Sequence, residues 1–77
     1  MGRTILTDDE FIQARVAVLA YLSSNESINN REFRALTHFG YDQAISFFGR
    51  MVRKGHLRRM GKASGTKYVL RKAPRQQ

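Results

Sequence analysis

Apolar and polar residues alternate in this chain with a helical period first and a strand period last. Phe11, Arg15, Val18, Leu19 and Leu22 fall at helical spacing, and the aliphatics among them form one apolar stripe. Thr7-Asp-Asp-Glu10 precedes that stripe with a hydroxyl and, three residues on, a carboxylate, the pattern of a capping box. Two aspartates between them sit where the helix dipole is positive. The spacing predicts a first helix over 8–23, ended by Ser23-Ser-Asn25.

Asn29-Asn-Arg-Glu32 repeats the capping pattern with Asn as the cap. It predicts a short helix over 30–37 that turns Phe33 and Leu36 to the core. His38-Phe-Gly40 reads as a tight turn. A third helix is expected over 41–54, with Gly55 as the left-handed residue that stops it. Beyond Gly55 the period shortens. His56–Met60 and Thr66–Leu70 read as two strands, joined by Gly61-Lys-Ala-Ser-Gly65 as a hairpin loop. Ile28 is placed to add a third rung.

The order predicts an α+β fold, a three-helix bundle with a C-terminal β-hairpin. One domain is expected over 7–71, with an arm at 1–6 and a disordered basic tail at 72–77. The expected core is Phe11, Val18, Leu19, Leu22, Ile28, Phe33, Leu36, Ala44, Phe48, Met51, Val52, Leu57, Tyr68 and Leu70. On the third helix, Tyr41 and Ile45 should lie beside this core side. Phe47 should be half exposed, either packing at an edge or meeting another chain.

Charge changes the picture. The last acidic residue is Asp42, and the 35 residues after it carry ten Lys or Arg. Residues 1–42 carry four basic and six acidic side chains, so the net +8 is a strongly polarised distribution. Such segregation points to a polyanion, of which nucleic acid is the commonest. With 77 residues and no cysteine, the chain is a single small domain without disulfides or Cys-ligated zinc. No apolar run approaches the roughly 18–20 residues that span a bilayer. These features imply a cytoplasmic protein, associated with the nucleoid if bacterial.

Three stretches also carry a family likeness. Asn-Arg-Glu-Phe-Arg-Ala-Leu-Thr (30–37) resembles the second helix of the winged helix-turn-helix domain at the C-terminal end of many bacterial helicase-like transcriptional regulators. Met-Val-Arg-Lys-Gly-His-Leu (51–57) resembles the end of that family's recognition helix and its first wing strand. Gly61-Lys-Ala-Ser-Gly-Thr-Lys-Tyr-Val-Leu70 resembles its wing, where Gly-x-Gly-Thr-x-Tyr-x-Leu is common. The family often begins the third helix with Ser and Arg and carries Arg again mid-helix; here Gly40, Tyr41, Asp42 and Ser46 stand there. The resemblance implies a winged-helix protein that binds double-stranded DNA and regulates transcription.

In a helix-turn-helix the outer side of the third helix enters the major groove. That side is expected to hold Asp42, Gln43, Ser46, Gly49, Arg50 and Arg53, with Lys54 at its end. Gln43 suits adenine, Arg50 or Arg53 guanine, and Ser46 a base or phosphate. The wing offers Arg58, Arg59, Lys62, Ser64, Thr66 and Lys67 to phosphates, and Arg71, Lys72 and Arg75 extend the contact. Gly49 in mid-helix implies either close approach of another backbone or of nucleic acid, or simple tolerance.

Enzyme chemistry finds no foothold. Gly61–Lys67 lacks the spacing and the following helix of a phosphate-binding loop. His38 and His56 lie in different turns without cysteine or a carboxylate partner, which argues against a metal site. No acid–base pair or activated serine is evident. No catalytic residue, metal or cofactor is therefore expected. Besides DNA binding, two functions fit: a protein-interaction or RNA-binding winged helix in a larger assembly, with a partner or second copy held through Phe47 or helix one, and an accessory domain of a DNA-processing enzyme.

Overall fold

The structure is a computed structural model that describes residues 6–62 and 65–71. It is a small α+β fold. Three helices, α1 (Asp8–Leu22), α2 (Asn30–Thr37) and α3 (Tyr41–Arg53), are followed by an antiparallel hairpin of β1 (Leu57–Met60) and β2 (Lys67–Leu70). Each expected element is present, α2 with the expected bounds and the others one residue shorter at one end. The expected tail at 72–77 and most of the arm lie outside the described residues.

Both capping boxes form. Thr7 Oγ1 accepts the Glu10 amide at 3.1 Å, and Glu10 Oε1 accepts the Thr7 amide at 2.9 Å. Asn29 and Glu32 repeat the exchange at 2.8 and 3.0 Å. Desolvation raises the pKa of Tyr21 on α1, and the charge and hydrogen bond of the same Glu32 add to it. Half of such a box begins α3, where Gln43 Oε1 accepts the Gly40 amide at 2.9 Å and the glycine has no side chain to return the bond. An apolar residue precedes each cap: Leu6, Ile28 and Phe39. Leu6 and Ile28 are buried with Phe11 and Phe33, their partners in the hydrophobic-staple spacing.

Gly55 stops α3 with φ +84. Its amide donates to Val52 O and the His56 amide to Met51 O, at 3.0 and 2.9 Å, which is a Schellman motif. His38 closes α2 with φ 67, a left-handed conformation that a side chain strains. In the hairpin, Leu57 faces Leu70 and Arg59 faces Tyr68. Ile28 joins as the third rung through two bonds to Tyr68, at 2.8 and 2.9 Å.

The core differs from expectation on three helix faces. Leu6 and Ala14 belong to it, whereas Leu19, Leu36 and Leu70 are exposed. Phe47 is 1% exposed, not half exposed. Its ring stacks on Phe33 at 4.8 Å and meets Phe11 at 5.4 Å. The reason is a rotation of α3 about its axis: α1 packs on the Phe47 side, so the opposite flank with Tyr41 and Ile45 is lifted off the core. On α1 itself, Ile12, Val16 and Leu19 form an exposed apolar stripe on the side away from the core. Leu70 pairs with the buried Leu57 at the open end of the hairpin and is itself 44% exposed.

Two stability outcomes follow from this packing. Phe47→Ala or Phe33→Ala should cost about 3–5 kcal/mol, measured by urea unfolding. An unchanged midpoint would mean that the ring cluster does not hold the helices. His38→Gly should stabilise by roughly 0.5–1 kcal/mol, because relief of left-handed strain exceeds the added freedom of the unfolded chain. A lower midpoint would show that the imidazole makes a contact worth more than the strain.

Candidate nucleic-acid interface

The residues expected at the interface divide into four places. The first is the outer face of α3. Asp42, Ser46, Gly49 and Arg53 follow one another at helical spacing on the side opposite Ala44, Phe47, Phe48 and Met51. Asp42 and Arg53 are exposed and Ser46 is half-buried. A Cβ on Gly49 would meet only the Arg53 guanidinium, at 3.6 Å, an ordinary contact. No other described part of the chain presses on Gly49, so among the described residues no backbone approach accounts for the glycine. Gln43 lies at the edge of this face, and its side-chain oxygen is already used at the Gly40 amide. Asp42 sits in the first turn, where a carboxylate suits the helix dipole and repels phosphate.

The second place is the seam between α3 and α1. Arg50 turns away from the outer face. Its guanidinium lies over the Phe11 ring, 4.0 Å from the centroid, and 3.8 Å from the Asp8 carboxylate. The carboxylate is almost fully exposed, so the ring contact is the stronger of the two. Arg50 is therefore a brace between helices.

The hairpin forms the third place, and strand alternation divides its charges. Arg59 shares a face with Leu57 and Tyr68 and points to the side where the helices lie. Arg58 and Lys67 occupy the opposite face. The loop depends on Gly61, which has φ +74 and whose added Cβ would stand 2.4 Å from Gly65 O. Lys62 is exposed beside it, and Arg71 is exposed at the hairpin's base, where its amide donates to His56 O at 3.1 Å. Lys54 is exposed at the end of α3, and Thr66 is half-buried. Ser64 and Lys72 lie outside the described residues.

The fourth place was not foreseen. A groove of about 640 Å³ runs between the start of α2, the flank of α3 and the hairpin. Arg31, Arg34 and Arg59 line it together with Tyr41 and Ile45. Asn30 Oδ1 accepts from Arg34 Nε at 2.6 Å, and the Arg34 guanidinium stands 5.5 Å from the Tyr41 ring centroid. Tyr68, stacked on Phe48 at 4.1 Å with the rings 6° from parallel, makes a rigid floor. Arg31 and Arg34 precede Asp42 and are interspersed with acids, so charge segregation along the sequence hid them. The Asn30–Arg34 spacing of four was the available signal.

Among the described residues the Arg50–Asp8 pair is the one ion pair seen, and no group of three or more His, Cys, Asp or Glu could hold a metal. No described helix is long and apolar enough to cross a membrane. Arg50→Ala should lower stability by about 0.5–1 kcal/mol, and the loss should persist in high salt, because a ring contact is screened less than an exposed ion pair. A loss that vanishes at 1 M salt would assign the effect to Asp8 instead. No protein-family model matches the chain, nor does any curated protein or solved structure.

Proposed function

We propose that this is a winged-helix protein that binds double-stranded DNA, with α3 in the major groove and the hairpin on the backbone, in the service of transcription regulation. The observation that carries the reading is the run of exposed cations after Asp42. Arg53, Lys54, Arg58, Arg59, Lys62, Lys67 and Arg71 are all exposed, with no carboxylate paired to any of them among the described residues. Three helices followed by a hairpin are compatible with a winged helix. In that arrangement the outer face of α3 meets base edges and the wing meets phosphates.

The geometry refines the division of labour. Arg53 is the guanidinium on the outer face available for guanine, since Arg50 is committed to Phe11. Gly49 leaves a shallow place in that face which no described residue but Arg53 approaches. Nucleic acid approaching closely there gives the glycine a purpose. Binding to another chain through Phe47 is not open to this fold, because that ring is buried.

Electrophoretic or fluorescence titration with random and selected duplexes tests the reading. Arg53→Ala should lose about 1–3 kcal/mol on a preferred site and little on random duplex. Lys62→Ala or Lys67→Ala should weaken all duplexes alike and flatten the log–log salt slope by about one unit. Insensitivity of binding to salt would sink the proposal. Gly49→Ala separates stability from binding: the helix should gain about 1 kcal/mol while duplex affinity falls. If both rise together, the outer face of α3 does not enter a groove.

A further inference from the structure

The groove between α2, α3 and the hairpin holds two kinds of group that a duplex contact does not explain together. Arg31, Arg34 and Arg59 converge on it from two elements with no acidic residue in its lining. Three guanidinium groups in one cleft suit phosphates. Tyr41 and Ile45, one helical turn apart on α3, stand beside them 58% and 52% exposed. A paired base inside a duplex shows only its edge, whereas an unpaired base offers a face that stacks on an aromatic ring or a guanidinium plane. Tyr41 is held ready for such stacking. Asn30 Nδ2 donates to the Tyr41 carbonyl at 3.4 Å, and the same side chain's oxygen accepts from Arg34 Nε at 2.6 Å. One asparagine thus ties the α3 backbone at Tyr41 to the arginine over its ring. The stacked pair Phe48–Tyr68 fixes the floor.

We propose that this groove is a binding site for single-stranded nucleic acid, in which an unpaired base stacks against Tyr41 and Ile45 and the adjoining phosphates are held by Arg31, Arg34 and Arg59. The inference rests on the proposed reading only in that the chain engages nucleic acid. It adds a second form of ligand, on a different flank of α3 from the face assigned to duplex. The two surfaces meet along α3, so an unpaired end or a frayed step could occupy the groove while the duplex beside it lies against Ser46, Gly49 and Arg53. Strand alternation suits this placement, since Arg59 faces the groove and Arg58 does not.

The test is fluorescence anisotropy on the whole chain with three labelled probes: a single-stranded oligothymidine, an abasic strand of equal length and charge, and a duplex. The expected order is tighter binding of the strand with bases than of the abasic strand. Tyr41→Ala should weaken the oligothymidine by about tenfold or more and leave the abasic strand unchanged. Tyr41→Phe should restore binding, because the ring is kept. An Arg34→Ala, Arg59→Ala double variant should weaken both strands. Unchanged thermal melting checks each fold, and Tyr41, being exposed, is a position where truncation leaves the core intact. Equal affinity for the two single strands, or an oligothymidine affinity indifferent to Tyr41→Ala, would overturn the inference. Arg53→Ala separates it from the duplex reading. If duplex does not bind while Tyr41-dependent binding of the single strand persists, only the duplex reading fails. If duplex binds with the expected Arg53 dependence and bases add nothing to the single strand, only the groove inference fails.

Discussion

One cluster of aromatic rings ties the three helices to the second strand of the hairpin. Phe11 comes from α1, Phe33 from α2, Phe47 and Phe48 from α3, and Tyr68 from β2, with successive centroids 4.1 to 5.4 Å apart. Phe33 touches both phenylalanines of α3, and Phe48 passes the contact on to the hairpin through Tyr68. Large rings bury more apolar area per residue than aliphatics, and tilted or offset pairs add to that burial. A domain of this size has few residues to spend on a core, so a chain of rings running from the helices to β2 is an efficient solution. It also fixes geometry. The adjacent pair Phe47-Phe48 grips α1 and α2 on one side and the hairpin on the other, and this sets the rotation of α3.

That rotation decides which side chains the candidate surface presents. With Phe47 turned to α1, the flank carrying Tyr41 and Ile45 is raised out of the core and the outer face centres on Ser46, Gly49 and Arg53. Arg50 is drawn over Phe11 by the same turn. The side chains that remain for a partner are therefore those the ring cluster does not claim. The strain at His38 has a place in this scheme. The turn from α2 to α3 has to be tight enough for Phe33 to reach Phe47 and Phe48, and a left-handed residue supplies it.

Local chemistry made the elements legible in the sequence. Thr7 with Glu10, Asn29 with Glu32, and Gly55 each act through hydrogen bonds within four residues, so their consequences could be read without knowing the fold. The Ile28 rung was legible too, because a lone β-branched residue between two helices has few other uses. What escaped was orientation about the helix axes. Helical spacing alone placed Tyr41 and Ile45 beside the core and Phe47 at its edge, since a stripe of six apolar residues on α3 has no unique centre. The angle was fixed by where α1 lands, which is a tertiary fact. Leu19 and Leu36 were misjudged for the same reason, each lying at the margin of a stripe whose other members suffice.

The candidate site was legible to the degree that charge is. A run of cations without acids marks a surface whatever the fold, and most of those residues are exposed. Arg31 and Arg34 were invisible by that measure, because they sit among Glu26, Glu32 and Asp42 in a front half that is net acidic. Folding removes the cancellation. Glu32 is turned to the cap of α2 and to Tyr21, and Asp42 stands on the outer face of α3, so neither carboxylate lines the groove. Net charge along a sequence averages over neighbours that the helix then sends to different sides. A basic groove can thus be assembled from an acidic segment, with the capping box at Asn29 engaging Glu32, the acid between the two arginines.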